Sequence, residues 1–105
     1  MSSRPRKLGI LLSGAPEAPA FSQGVRLAET AIQAGCDVYL YCIDEAVRGI
    51  SRTDLQSLKG RGLKLYGCAF GAHRHGVAVD DSAVFAGLTV VSDLIASTDR
   101  FVGFP

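Results

Sequence analysis

The sequence predicts an α/β fold, a three-layer α/β/α sandwich built around a five-stranded parallel sheet. Apolar runs of strand length alternate with segments of helical periodicity along all 105 residues. Some of these runs are almost continuously apolar, which is typical of strands covered on both faces. Strands that alternate with helices favour a parallel sheet between two helical layers. Because repeats, low-complexity tracts and linkers are absent, we expect residues 1–105 to form one domain.

The first half of the chain is predicted to hold two strands with a helix between them. The first strand is Lys7–Leu12, and residues 1–6 before it are expected to form a flexible tail. Apolar side chains spaced by four, three and four residues then predict a helix, which Gly35 ends. The second strand is Asp37–Ile43, rich in aromatic and β-branched residues. The residues that predict the helix are Phe21, Val25, Ala28 and Ile32.

The second half is predicted to contain three further strands and three short helices. Gly60 and Gly62 end the first of these helices. The weakest helix is the one that contains Gly71, because glycine disfavours helix interiors. In chain order the elements are helix Thr53–Lys59, strand Leu63–Tyr66, helix Ala69–Gly76, strand Leu88–Val91, helix Ser92–Thr98 and strand Arg100–Phe104.

Composition excludes several classes of protein. The net charge of +1 indicates neither nucleic-acid binding nor binding to an anionic membrane surface. No apolar run is long enough for a transmembrane helix. Three cysteines without C-x-x-C spacing argue against a disulfide framework and a zinc site, so we expect free thiols in the cytoplasm.

Cys68 is the main candidate for a reactive group. It follows an apolar strand and precedes a predicted helix, so its thiol is expected at the carboxyl edge of a parallel sheet, where ligands bind. Helix amides and the helix dipole at such a position favour a thiolate. Free cysteine is also among the most buried residue types, so a purely structural role is the alternative. The other thiols are Cys42, expected in the core, and Cys36, for which a resolving role with Cys68 stays open.

Other residues are predicted to lie at the same edge of the sheet. Ser13 and Gly14 follow the first strand, and Asp44 follows the second. His73 and Arg74 lie shortly after Cys68, where a charged histidine favours a thiolate and an arginine binds an anionic donor. Each of these residues also has a simpler interpretation as a turn former or a solvated surface group.

Known phosphate-binding and acidic motifs are missing at these strand ends. The first loop, "SGAPEAPAF", is a poor phosphate cradle, and no acidic cluster suits a phospho-receiver. The G-x-G-x-x-G and G-x-x-x-x-G-K-[ST] motifs are absent. By elimination, the cysteine remains the candidate for chemistry.

The chain resembles the DsrE/DsrF-like sulfur-relay family, in particular its TusD-like members. The resemblance covers nearly the whole chain. It depends on the order of the elements, on the cysteine that ends the third strand, and on the closing stretch "GLTVVSDLIASTDRFVGF". A short helix after Cys68 ends in Arg74-His75-Gly76-Val77, which is similar to an R-x-G-V pattern.

The resemblance implies a cytoplasmic sulfur carrier or sulfurtransferase in which Cys68 holds sulfane sulfur as a persulfide. Backbone N–H groups of Ala69, Phe70 and Gly71 are expected to stabilise the anionic persulfide. No metal or organic cofactor is implied. The implied partners are sulfur donor and acceptor proteins, within a homo-oligomer (a trimer or hexamer) or a hetero-oligomer of related subunits.

Two alternatives stay open. One is a non-catalytic scaffold or small-ligand binding subunit of a sulfur-metabolism complex. The other is a metal site formed by Cys68, His73 and His75, although this spacing fits no standard zinc pattern.

Overall fold

Five apolar segments form the strands of a single parallel sheet. The computed structural model describes residues 4–105, so the predicted tail at residues 1–6 lies partly outside the described residues. The strands are β1 (Lys7–Leu12), β2 (Asp37–Cys42), β3 (Lys64–Cys68), β4 (Val84–Ala86) and β5 (Arg100–Phe104). The strand order is β4-β3-β2-β1-β5, which puts β2 in the centre.

Helices connect consecutive strands and cover the two faces of the sheet. A 3₁₀ helix at Asp44–Gly49 follows β2 directly. The α-helices are α1 (Pro19–Gln33), α2 (Thr53–Gly60), α3 (Ala69–Arg74) and α4 (Thr89–Ser97). α1 lies against β1, β2 and β5, whereas α4 lies against β1 and β5.

Strand alternation assigns α1 and α4 to opposite faces. A Cβ added to Gly24 in α1 would meet the side chain of Leu12, whereas one added to Gly9 would meet Thr98 at the end of α4. Gly9 and Leu12 are an odd number of positions apart on β1, so they face opposite sides of the sheet. The predicted α/β sandwich with a five-stranded parallel sheet is therefore confirmed.

The core is centred on the middle strands. Ile10, Leu40 and Leu65 are register partners across β1, β2 and β3, so their side chains form one row. All three are buried, two of them completely. α1 covers the sheet with an apolar stripe that includes Phe21, Val25, Ala28 and Ala31. This packing fixes the central strands, whose carboxyl ends carry the candidate site.

The predicted fourth strand is wrong. The apolar run Leu88–Val91 favours a strand, but α4 begins at Thr89 and the strand is the three-residue segment Val84–Ala86. Val90, Val91 and Leu94 pack on the core with helical spacing. Packing against the sheet has overridden β-propensity here. β4 is an edge strand paired only with β3, which leaves it little sequence signal.

Candidate functional site

Cys68 is the last residue of β3 and the N-cap of α3. Its backbone is extended (φ −70°, ψ 119°), and its sulfur accepts a hydrogen bond from the Gly71 amide at 3.4 Å. This is the geometry of a helix N-cap, in which a side-chain acceptor satisfies an N–H group of the first turn. The expectation that a helix amide is directed at the thiol therefore agrees with the observed contact.

A cleft of about 330 Å³ opens above the Cys68 thiol. Cys68 is only 5% exposed as a residue, so its thiol lies at the base of the cleft and not on the open surface. The residues that line the cleft come from the carboxyl ends of β2, β3 and β4 and from α3. They are Ile43, Asp44, Cys68, Phe70, Gly71, Arg74, His75, Gly87 and Leu88.

Asp44 and Gly71 bring two of these elements close together. A Cβ added to Gly71 would lie 3.2 Å from Val47 Cγ1 and 3.6 Å from the Asp44 amide nitrogen, so glycine lets α3 pack tightly on the 3₁₀ helix. Asp44 has a φ of 54°, in the left-handed region that Asp tolerates better than most side chains. The close approach places Asp44 among the residues that line the cleft containing Cys68.

His75 lies in the cleft beside a carboxylate that belongs to a network of charged groups. It is the C-cap of α3, and its Nε2 atom lies 3.6 Å from a carboxylate oxygen of Glu45. Arg48 donates to Glu45 at 2.9 Å and to Glu17 at 2.9 Å. The hydrogen bond from Arg48 is the largest cause that lowers the pKa of Glu17. The hydrogen bonds of Arg48 therefore hold the Glu45 carboxylate beside the imidazole.

Tyr41 supports the sulfur from the sheet side. Its side chain is completely buried, and its hydroxyl donates to the Ala86 carbonyl at 2.8 Å. Burial first, and then interaction with the neighbouring Cys68 thiol, raise the pKa of Tyr41 well above the usual phenol range. The hydroxyl therefore stays protonated and links β2 to β4 next to Cys68.

We predict that Tyr41→Phe lowers the free energy of unfolding by about 1–2 kcal/mol, because the Ala86 carbonyl loses its partner. Tyr66→Phe is the matched control, since Tyr66 stacks on Tyr41 but has no side-chain hydrogen bond within residues 4–105. The control is expected to change stability by less than about 0.5 kcal/mol. Urea unfolding measures both values, and equal losses in the two variants would contradict the assigned bond.

Cys42 and Cys36 differ from Cys68 in their surroundings. Cys42 is completely buried, and burial raises the pKa of its thiol to about 12. It therefore stays protonated and unreactive at neutral pH. Cys36 is half-buried after the end of α1, at the opposite end of the strands from Cys68. The resolving role left open for Cys36 has no geometric support.

Because burial raises the pKa of the Cys42 thiol, we expect the protein to lose stability in alkali. This pKa is higher in the folded protein than in the unfolded chain, so the stabilisation is complete below about pH 9 and is lost as the pH rises towards 12. Urea unfolding of the parent and of Cys42→Ala at about pH 8 and pH 10.5 tests this expectation. The variant should lose less stability between the two pH values, and an identical loss would contradict the prediction.

Five of the predicted site residues meet in the cleft, namely Cys68, Asp44, Phe70, Gly71 and Arg74. Ala69 and His73 are exposed and lie outside its lining. Ser13 and Gly14 lie at the end of β1 beside β5, where the Ser13 amide donates to Phe104.

The cleft also contains residues that are not among those predicted for the site. For His75 the sequence favours a surface residue over a charged group near the thiol or a metal ligand, although a separation of seven residues from Cys68 corresponds to two helical turns and hence to one face. Gly87 and Leu88 were missed because they were placed before or within a strand, whereas they follow β4 at the carboxyl edge.

The described residues 4–105 contain no group of three or more His, Cys, Asp or Glu side chains placed to hold a metal ion. The Cys68, His73 and His75 alternative therefore has no cluster to support it. In the same range, no helix is both long enough and apolar enough to cross a bilayer.

Comparison with known proteins identifies a shared fold. The sequence matches no protein-family model and no curated protein. The ychN protein from E. coli, whose crystal structure is known, superposes with a TM-score of 0.83 at 19% sequence identity. The match covers 94% of this chain and 99% of that chain. This similarity supports the DsrE-like fold expected from the sequence, and at this level of identity it establishes the fold alone.

Proposed function

We propose that this protein is an intracellular sulfur carrier that holds sulfane sulfur as a persulfide on Cys68. The observation that carries the proposal is the position of this thiol. It lies at the carboxyl end of a central parallel strand, at the base of a cleft, with the Gly71 amide donating to its sulfur. An N–H group that donates to a thiol also stabilises the thiolate and the persulfide anion that replaces it.

The proposed reaction is a thiol–persulfide exchange. The Cys68 thiolate attacks the outer sulfur of a donor R–S–SH, a new S–S bond forms on Cys68, and the S–S bond of the donor breaks. The electron pair of the broken bond leaves with the inner sulfur of the donor, as R–S⁻. An acceptor thiolate then attacks the outer sulfur of Cys68–S–SH and regenerates the Cys68 thiolate. No external oxidant or reductant is consumed.

Apolar side chains around the cleft support a docking role in the relay. Phe70 is 72% exposed and Leu88 is 58% exposed, and both line the cleft. Large apolar groups exposed next to a reactive centre are typical of interaction surfaces. We therefore propose that donor and acceptor proteins, or further subunits of an oligomer, contact the rim of the cleft.

Mass spectrometry of the intact protein tests the function. The reduced protein is incubated with inorganic polysulfide, and the expected product is heavier by one or more sulfur atoms. Dithiothreitol should remove the added mass, and peptide mapping should assign it to the peptide that contains Cys68. Added sulfur that maps to Cys36, or an unchanged mass, would overturn the proposal in favour of a non-catalytic subunit.

A further inference from the structure

Two opposite charges at the cleft have no partner among the described residues 4–105. The other ionisable groups at the rim are paired, since His75 faces Glu45 and Glu45 also binds Arg48. Within residues 4–105, the side chains of Asp44 and Arg74 take part in no ion pair or hydrogen bond, although both line the cleft. The lining of the cleft that contains Cys68 therefore includes one acidic and one basic residue without a partner among residues 4–105.

Packing against α3 holds the backbone at Asp44. Its φ of 54° lies in the left-handed region, which Asp tolerates better than most side chains. A Cβ added to Gly71 would lie 3.6 Å from the Asp44 amide nitrogen, so the two segments are closely packed. Asp44 is therefore fixed at the cleft while its carboxylate has no partner among residues 4–105.

The apolar residues that line the cleft suit a ligand with a short aliphatic side chain. Ile43, Phe70 and Leu88 provide the apolar part of the lining. A volume of about 330 Å³ is at the small end of the range for ligand pockets, so the cleft fits a molecule of amino-acid size. An apolar wall with two opposite charges and a thiol is complementary to a zwitterion that carries sulfur.

We propose that the cleft binds a small zwitterionic hydropersulfide, an α-amino acid with a sulfane sulfur on its side chain. The carboxylate pairs with Arg74, the ammonium pairs with Asp44, and the outer sulfur meets Cys68. This inference rests on the proposed function and names the donor for the same thiol. In the transfer, the S–S bond of the donor breaks, its inner sulfur leaves as the amino-acid thiolate, and the outer sulfur bonds to Cys68.

Three matched donors separate the two charges. L-cysteine hydropersulfide carries both groups, cysteamine hydropersulfide lacks the carboxylate, and N-acetylcysteine hydropersulfide lacks the free ammonium. The rate of sulfur loading on Cys68 is measured by rapid alkylation and intact-protein mass spectrometry. Each rate is divided by the rate of the same donor with glutathione, which removes differences in intrinsic reactivity.

The parent protein is expected to favour cysteine hydropersulfide over each of the other donors by about twofold to fivefold, the range for a solvent-exposed ion pair. Arg74→Gln should remove the preference over the cysteamine donor and retain the preference over the N-acetyl donor. Asp44→Asn should do the reverse, and asparagine also tolerates the left-handed backbone at this position. Arg100→Gln and Asp93→Asn remove the same charges from exposed positions outside the cleft, and they should leave both ratios unchanged.

The outcomes distinguish the two levels of the proposal. Equal normalised rates for the three donors, or a ratio that fails to change in either cleft variant, would overturn the zwitterionic donor while Cys68 still carries sulfur. Absence of sulfur on Cys68 with every donor, including inorganic polysulfide, would overturn the carrier function itself.

Discussion

Replacing Cys68 with serine is expected to abolish sulfur loading and to leave the fold intact. A serine hydroxyl cannot form a persulfide, so the loss of carried sulfur should be complete. The fold should persist because Cys68 is the N-cap of α3, and serine is among the preferred residues at that position. The serine hydroxyl can accept the hydrogen bond that the Gly71 amide donates to the sulfur in the parent protein. Intact-protein mass spectrometry after polysulfide treatment measures the loss, and circular dichroism checks the fold.

Cys36→Ser is the matched control for this experiment. Cys36 is half-buried and lies away from the cleft, so its replacement should leave sulfur loading unchanged. Cys42 is a second internal reference in both variants, because its buried thiol should stay unmodified until the protein unfolds. If Cys68→Ser still gained sulfur at the parent's level, the carrier would be a different thiol and the assigned site would be wrong.

The strands and helices differ in how well the sequence predicts their bounds. β1 and β5 have the predicted bounds, and β2, α1 and α2 differ from prediction by a few residues. These elements have apolar patterns that match their own periodicity, and glycines mark the ends of the two helices, Gly35 after α1 and Gly60 at the end of α2. β4 has neither, because three residues on an edge strand bury little surface, and the apolar residues after it belong to a helix.

That misplaced strand explains part of what was missed in the site. Cys68 and Asp44 are predicted because parallel strands end at one edge of the sheet, and Arg74 is predicted because it follows Cys68 closely. Leu88 is absent from the predicted site because the predicted strand covers the true strand end. The role of Tyr41 is not predictable either, since the bond from its hydroxyl to Ala86 depends on strand order, which local periodicity does not determine.

Leu40→Ala is expected to cause the largest loss of stability. Leu40 is completely buried in the central strand, between its register partners Ile10 and Leu65. Truncating such a side chain removes apolar burial and leaves a cavity, at a cost of about 2–5 kcal/mol. The whole domain is expected to be stable by only about 5–15 kcal/mol. The melting temperature should therefore fall by about 10–20 °C.

Ile95→Ala removes a side chain of similar size from the exposed face of α4, where Ile95 is 55% exposed. Its free energy of unfolding should stay within about 0.5 kcal/mol of the parent value. Urea unfolding and thermal melts compare the two variants directly, and a Leu40→Ala loss no larger than that of Ile95→Ala would contradict the assigned core. Because β2 lies between β1 and β3 and leads directly into Asp44, a loosened Leu40 should also slow sulfur loading on Cys68. The packing of the central strands would then be a requirement for the cleft as well as for the fold.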